Sequence, residues 1–406
     1  MARAFEGIRV VDFTQVLSGP YLTTQLAMEG ADVIKIEPPR IGDQMRNRMI
    51  PSPHAEHDMA SAFLALNHGK RSVALDLKNP KGRTIAHKLI EGADVVAQNF
   101  RGGVAERLGL GWEDVKAINP RVIYCQITGY GTGGPRGEEG AYDGAIQAAS
   151  GMMSTNGHAA TGATRTGYFP VDLFTGMAAA YAVAAALFRR ERTGEGQMLD
   201  VSMLDAALNI QAPSVAQWLV DGFENTLIGN SSATLLPTAD SFACAEGAVL
   251  MSATMPGHVQ AVFEELGIAA LLDDPRFVDS KTRIANKEAV NAALSEAFSK
   301  DTAAHWAKKI GARGVPISRV NTIAEAIEDP QLAHRGTLVD VPPPQGFDDP
   351  VRLVGSPHRA ISDGPRIDRP PPGLGEHGAE VLGGLGFTAT EIEDLVAAGA
   401  VGRTPD

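Results

Sequence analysis

Short apolar, β-branched runs alternate with amphipathic stretches through the first half of this 406-residue chain. Stretches with helical spacing cover residues 18–29, 81–91, 104–108 and 172–192. Strand-like runs lie between them, at residues 8–13, 31–37, 72–77, 95–99, 122–128 and 200–203. This alternation predicts an α/β fold with a doubly wound, mostly parallel sheet.

The pattern changes after residue 237. Two strand-like runs joined at Glu246-Gly247 predict a hairpin over residues 240–252. Helical patterns follow at residues 258–266, 287–298 and 302–310, with a short strand at 315–320 and, after a tail rich in Pro and Gly, a last helix at 389–398. We therefore expect a second, smaller α+β domain.

Composition narrows the class of partner. The 36 basic and 48 acidic residues give a formal charge of −12, which argues against nucleic acid or an anionic membrane as the main partner. The first seven residues lack the apolar core of a signal peptide, and the apolar run Met177–Phe188 is too short to cross a bilayer. With two widely separated cysteines, Cys125 and Cys244, we expect a cytoplasmic protein with free thiols.

Several familiar catalytic motifs are absent or misplaced. The run Gly129–Gly134 fits G-x-G-x-x-G, but it follows a late strand and leads into Pro135 rather than a helix, unlike a dinucleotide fingerprint. The sequence has no P-loop and no G-x-S-x-G elbow. His54 and His57 lie in a loop-like stretch without a second ligand pair at zinc spacing, so we expect no metal site.

Polar and basic residues collect where the predicted strands end. Gln15, Arg40, Asn99, Phe100 and Arg101 all follow strands. In open parallel sheets ligands bind outside the carboxyl ends of the strands, so this edge is the expected site for a phosphorylated ligand.

Asp172 precedes a long apolar helix and has two compatible interpretations. It could be the N-cap of the helix. A carboxylate at a helix N-terminus is expected to stay ionised, and it can attack a bound electrophile such as a thioester.

Several segments, in order, resemble the family III CoA-transferases, which include formyl-CoA transferase, carnitine CoA-transferase and the α-methylacyl-CoA racemases. The resemblance spans nearly the whole chain. It is carried by residues 8–20 (IRVVDFTQVLSGP), 30–37 (GADVIKIE), 67–78 (NHGKRSVALDLK), 94–103 (DVVAQNFRGG), 127–135 (ITGYGTGGP) and 194–205 (GEGQMLDVSMLD).

The resemblance implies a Rossmann-like large domain built from both ends of the chain, a small domain between them, and a homodimer of interlocked rings. The expected boundaries are 1–215 for the first part of the large domain, 216–236 for a connector, 237–325 for the small α+β domain and 326–406 for the return segment. Coenzyme A or acyl-CoA would be a substrate, and no tightly bound cofactor is implied. The nucleophile of the family falls on Asp172, and its CoA-contacting positions fall on Gln15, Val16, Arg40, Lys70, Asn99, Phe100, Arg107, Tyr142 and Met203.

In the implied mechanism Asp172 attacks a donor acyl-CoA, forming a mixed anhydride and then an aspartyl-CoA thioester, which an acceptor carboxylate attacks. Oxyanion donors could come from the run Gly129–Gly134 or from residues 229–231. Two alternatives stay open: a 2-methylacyl-CoA racemase and a non-catalytic CoA-binding protein. The racemases of this family use a His-Asp pair where this chain has Tyr142-Asp143, which favours the transferase. Leu17 and Gly140 replace a glutamine and a lysine of formyl-CoA transferase and leave the acyl specificity open.

Overall fold

The computed structural model describes residues 3–402. Their strands are β1 Arg9–Asp12, β2 Asp32–Glu37, β3 Lys70–Ala74, β4 Val95–Gln98, β5 Ile123–Thr128, β6 Gly157–His158, β7 Gly162–Ala163, β8 Gln197–Ser202, β9 Ser241–Ala243, β10 Ala248–Met251, β11 Ile317–Arg319, β12 Leu338–Val341 and β13 Val351–Val354. Their α-helices are α1 Ser18–Met28, α2 Ser61–Asn67, α3 Pro80–Glu91, α4 Val104–Arg107, α5 Trp112–Ile118, α6 Asp143–Ala149, α7 Met152–Thr155, α8 Pro170–Thr193, α9 Met203–Ile210, α10 Ala212–Asp221, α11 Pro256–Glu265, α12 Ser280–Ala285, α13 Lys287–Phe298, α14 Ala303–Gly311, α15 Ile323–Ala326, α16 Pro330–Arg335, α17 Gly378–Gly384 and α18 Ala389–Ala397.

Two compact units divide the chain. The first consists of residues 3–152, 166–222 and 332–402, and the second of residues 153–165 and 223–331. This division differs from the expected boundaries in placing residues 153–165 with the second unit. The reason is local: β6 and β7 form a small hairpin within that segment, and His158 bridges to Ile228. The expected boundaries of the folding domains stay a prediction.

The first unit is built on a six-stranded sheet in the order β3-β2-β1-β4-β5-β8, with every pair of neighbours parallel. The prediction of an α/β fold with a parallel central sheet is confirmed. Strand order reverses beside β1, where Val10 pairs with Val33 of β2 on one side and Val95 of β4 on the other. Such a reversal is where open α/β sheets bind ligands.

Helices cover both faces of this sheet because successive strand residues point to opposite sides. Val10 packs into a core with α1 and α8, whereas Val11 packs into a second core with α3, α17 and α18. Both valines are fully buried. Strand residues that are apolar on both faces are typical of parallel sheets covered by helices.

Helix α8 is 24 residues long and, by length and composition alone, could cross a membrane; half of its most apolar window is buried inside the protein. The apolar run predicted from the sequence ended at Phe188 and was too short to cross a bilayer, whereas the helix continues to Thr193. Packing on the sheet accounts for much of this apolar character, since core helices of soluble proteins have the same composition.

The return segment completes the second core of the first unit. The backbone amide of His377 donates to the Ser72 carbonyl at 3.0 Å, and the Asp76 amide donates to the Ala400 carbonyl at 3.0 Å. Helix α18 was predicted, whereas the β12–β13 hairpin lies in a Pro- and Gly-rich stretch that gave no strand signal.

The second unit contains a three-stranded antiparallel sheet in the order β11-β10-β9, packed against helices α11, α13 and α14. Its core includes Phe242 stacked on Phe298, with Trp306 edge-on to Phe298. The predicted hairpin, three helices and short strand of this region are all present.

Candidate active site

A cavity of about 570 Å³ opens at the carboxyl ends of the strands in the first unit. Loops after β1, β4 and β5 and the start of α9 after β8 form its walls. Its lining residues are Gln15, Val16, Leu17, Ser18, Gln44, Asn99, Phe100, Arg101, Gly102, Val104, Ile127, Thr128, Gly129, Gly137, Glu139, Gly140, Ala141, Tyr142, Ala145, Asp172 and Met203. The position matches the edge that the sequence predicted for ligand binding.

Seven of the predicted site residues meet in this cavity: Asp172, Gln15, Val16, Asn99, Phe100, Tyr142 and Met203. The other three do not line it. Arg40 is exposed in the turn after β2, and Arg107 is exposed at the end of α4, beside Gly103.

Lys70 lies inside the protein rather than at the cavity. Its side chain is fully buried, and Nζ donates to Asp12 Oδ2 at 3.2 Å, to the Pro20 carbonyl at 2.9 Å and to Asn67 Oδ1 at 2.9 Å. All three donors of the ammonium group are therefore used internally. The structure does not bring Lys70 to the ligand site, because its ammonium group forms a buried ion pair with Asp12.

Asp172 lies in the first turn of α8, but it is not the N-cap. The helix begins at Pro170, the N-cap is Phe169, and no side chain of that residue caps the helix. Asp143 takes the capping role instead, because its Oδ2 accepts from the amides of Val171 at 2.9 Å and Asp172 at 3.1 Å. The Asp172 carboxylate is thereby left to face the cavity.

The electrostatic setting of Asp172 also differs from the prediction. Burial, and secondarily the charge of Asp143, raise the pKa of Asp172 to about 7, against a smaller lowering by a hydrogen bond from the Ser18 hydroxyl. Asp172 is only 8% exposed. The sequence had predicted a carboxylate kept ionised by the helix terminus; desolvation outweighs that effect here.

Close packing of α1 against α8 brings Ser18 to Asp172. Gly176 sits one turn beyond Asp172, and a Cβ atom there would lie 2.5 Å from the Ser18 carbonyl oxygen. Only glycine permits this approach without displacing α1.

The turn between β1 and α1, residues 15–18, forms one wall of the cavity. Side chains from the loops after β4 and β2 hold its backbone through hydrogen bonds. The Gln15 amide donates to Asn99 Oδ1 at 2.8 Å, and Asn99 Nδ2 donates back to the Gln15 carbonyl at 2.7 Å. The Val16 amide donates to Asp43 Oδ1 at 3.0 Å. Val16 has a φ of 70°, a left-handed conformation that is rare for a β-branched residue.

Arg101 is the one cationic side chain among the lining residues, and no ion pair is seen for it within residues 3–402. Its guanidinium lies against Gly140, where a Cβ atom would be 3.0 Å from Nε. The lining residue Glu139 is instead paired with Arg136 at 2.8 Å. Arg101 is thus available to an anionic ligand.

Of the two glycine runs considered as oxyanion donors, only Gly129 lines the cavity. The Gly131 amide already donates to Thr128 Oγ1 at 3.0 Å. Residues 229–231 belong to the second unit. Within residues 3–402 no three His, Cys, Asp or Glu side chains are placed to hold a metal ion.

Sequence reasoning missed two residues that shape the surroundings of Asp172, Ser18 and Asp143. Asp143 was considered only as part of a racemase-like pair. No local sequence signal indicates this capping role, because α8 is distant from Asp143 along the chain and only the fold brings the two together.

Residues 5–378 match the model of CoA-transferase family III. The chain is 35% identical to a succinate–glutarate CoA-transferase of Agrobacterium fabrum, over 93% of this chain and 95% of that protein. It is 38% identical to an acetyl-CoA:oxalate CoA-transferase of Acetobacter aceti, over 87% and 92%. A crystal structure of a CAIB/BAIF family protein from Brucella suis superposes with a TM-score of 0.87 at 33% identity, covering 95% of this chain and all of that one. The chain therefore belongs to CoA-transferase family III.

Proposed function

We propose that this CoA-transferase moves CoA from an acyl-CoA donor to a carboxylic acid through covalent intermediates on Asp172. The observation that carries the proposal is a buried carboxylate, lining a cavity at the sheet switch point, whose pKa is raised to about 7. A carboxylate with this pKa is partly ionised at neutral pH and more basic than an ordinary aspartate, which favours attack on a thioester.

The steps exchange groups without ATP. Ionised Asp172 attacks the thioester carbonyl, the C–S bond breaks, and an acyl-aspartyl anhydride and CoA thiolate form. The thiolate then attacks the aspartyl carbonyl and expels the donor carboxylate, which leaves an aspartyl-CoA thioester. The acceptor carboxylate attacks that thioester, the C–S bond breaks, and a new acyl-aspartyl anhydride and CoA thiolate form. The thiolate attacks the acceptor carbonyl of this anhydride, which gives the new acyl-CoA and releases the Asp172 carboxylate.

We further propose that the acceptor is a dicarboxylic acid. Arg101 lines the same cavity as Asp172 and has no ion pair within residues 3–402, which supports a role in binding a second carboxylate while the first reacts at Asp172. Several relatives carry names of dicarboxylate transferases, including a succinyl-CoA:mesaconate CoA-transferase of Haloarcula hispanica at 36% identity. The CoA moiety would contact Gln15, Val16, Asn99, Phe100, Tyr142 and Met203.

The racemase alternative requires a base that removes a proton next to the thioester. Tyr142 occupies the corresponding position and is about half exposed, and an ordinary phenol is a weak base near neutral pH. This favours transfer over racemisation.

The oligomeric state and the cellular location are also proposals. We propose an interlocked homodimer, supported by large exposed apolar side chains on α8 and α10, and a cytoplasmic location.

Replacement of Asp172 by alanine tests the proposal. We expect Asp172→Ala to abolish acyl exchange between succinyl-CoA and a panel of dicarboxylic acids while CoA still binds, as measured by mass spectrometry and calorimetry. Hydroxylamine added during turnover should label Asp172 as a hydroxamate. Undiminished exchange by the variant would refute the proposal, and deuterium uptake at the α-carbon of a 2-methylacyl-CoA without any acceptor would support the racemase.

A further inference from the structure

The turn of residues 15–18 is strained at Val16, and the strain lies in the wall that faces Asp172. A left-handed backbone at a β-branched residue is energetically costly and persists only where the surroundings enforce it. Ser18, two residues further on, lines the cavity together with Asp172, and its backbone lies against Gly176, one turn beyond Asp172 in α8. Val16 and Ser18 therefore belong to the same short wall of the cavity, opposite Asp172.

Asp43 is the group that holds Val16 in this conformation. It follows β2, is fully buried, and accepts through Oδ1 from the amides of both Val16 and Met45 at 3.0 Å. Hydrogen bonds to an ionised acceptor are roughly twice as strong as neutral ones. Backbone amides of two loops are thus joined on a single carboxylate oxygen.

The carboxylate is oriented by a buried cation. Lys35 Nζ lies 2.9 Å from Asp43 Oδ2 and donates also to the Thr14 carbonyl at 2.8 Å. Both side chains are fully buried. The same ion pair therefore fixes the backbone at Thr14 and at Val16, on the two sides of Gln15.

We propose that Asp43, oriented by Lys35, is a positioning residue for acyl transfer: it holds Val16 in its left-handed conformation and thereby places Ser18 against Asp172. This inference rests on the proposed function of Asp172. Asp43 does not line the cavity and would touch neither CoA nor acceptor.

A double-mutant cycle with Val16→Gly tests the proposal. Asp43→Ala is made together with Lys35→Met, because an unpaired buried lysine would destabilise the fold. In the wild-type background the paired change is expected to lower kcat about tenfold to a hundredfold. In the Val16→Gly background the loss should be about tenfold smaller, because glycine adopts a positive φ without strain. A cycle with the isosteric Asp43→Asn repeats the measurement in a protein with minimal change of packing.

The controls separate positioning from general stability. Asp94→Asn removes the carboxylate that pairs with the largely buried Arg190, at the amino end of β4 and away from the cavity. It should lower the free energy of unfolding without lowering kcat. Equal losses from the Asp43 changes in the two backgrounds would overturn the proposal while leaving Asp172 as nucleophile. Retained exchange in Asp172→Ala would instead refute the proposed function itself.

Discussion

Two buried carboxylates, Asp143 and Asp172, have different roles at the start of α8. Asp143 caps the helix and Asp172 faces the cavity, and the charge of the first raises the pKa of the second. Gln147 Nε2 donates to Asp143 Oδ1 at 2.5 Å and keeps Asp143 turned toward the helix. Asp143 therefore both caps α8 and raises the pKa of Asp172.

Activity should depend on pH through this pair. For the wild type, kcat/KM is expected to rise about tenfold per pH unit until it levels off near pH 7, because Asp172 attacks only when ionised. Asp143→Asn should move this midpoint to lower pH by removing a repelling charge. The exposed carboxylate of Glu106, outside the cavity, provides the control: Glu106→Gln should leave the midpoint in place. An unchanged midpoint in Asp143→Asn would contradict the coupling.

The free energy of unfolding should depend on pH in the opposite sense to the activity. Between the ordinary pKa of 3.8 and the raised value of about 7, folded Asp172 keeps a proton that the unfolded chain has lost. The free energy of unfolding therefore falls as pH rises through this range. Denaturant titrations should show a weaker fall in Asp172→Asn, which cannot ionise; an identical slope in both proteins would mean that Asp172 does not carry the raised pKa.

Arg101 provides a test of the acceptor class. Arg101→Gln is expected to raise KM for a dicarboxylate acceptor about tenfold to a hundredfold, because this factor corresponds to the free energy of one hydrogen bond to a charged group. The KM for a monocarboxylate of equal length should not change. Gly140→Ala should act in the same direction, since its Cβ displaces the guanidinium. Arg136→Gln is the matched control, because that arginine pairs with Glu139. An increase in KM for the acyl-CoA alone would identify Arg101 as a phosphate ligand instead.

At the scale of elements, two helical glycines have contrasting surroundings. Gly176 of α8 lies against α1, whereas Gly383 of α17 is exposed and a Cβ there would meet nothing within 4 Å. Gly176→Ala should cost about 1–3 kcal/mol of unfolding free energy and reduce kcat as Ser18 is displaced. Gly383→Ala should stabilise by about 0.5–1 kcal/mol, because alanine is the better helix former. Denaturant unfolding of both variants checks the prediction, which the reverse ranking would contradict.

Periodicity was sufficient to predict the strands of the central sheet and the long helices, because strand and helix patterns differ most where a segment is buried. It placed β3 two residues late, at 72 instead of Lys70, since cations at 70 and 71 look solvent-exposed. Only the fold shows that Lys70 of β3 forms a buried ion pair with Asp12 of β1, two strands away in the sheet. The raised pKa of Asp172 was missed for the same reason: burial and the approach of Asp143 are tertiary properties.

At the scale of the whole molecule, exposed apolar side chains support the proposed dimer. Three consecutive residues of α10, Trp218, Leu219 and Val220, are 57%, 75% and 80% exposed on the single chain, and Tyr181 of α8 is 77% exposed. Apolar surface of this kind in a soluble protein is normally covered by a partner.

Light scattering should give twice the chain mass of 42.7 kDa for the wild type. Leu219→Glu is expected to shift the protein toward the monomer, because a charge in an apolar interface costs several kcal/mol. The same substitution at the fully exposed Ile361 controls for the added charge. A monomeric wild type would refute the dimer.

The return of the chain to the first unit has a consequence for how the protein is made. The six strands of the central sheet are synthesised before Leu382, Leu395 and Val401, which complete its second core. The second unit, whose segments 153–165 and 223–331 both precede α17 and α18 in the chain, can finish folding before these helices are made. Until α17 and α18 have been made, the part of this sheet face that they cover stays exposed, so the nascent chain depends on chaperones or on rapid completion to avoid aggregation.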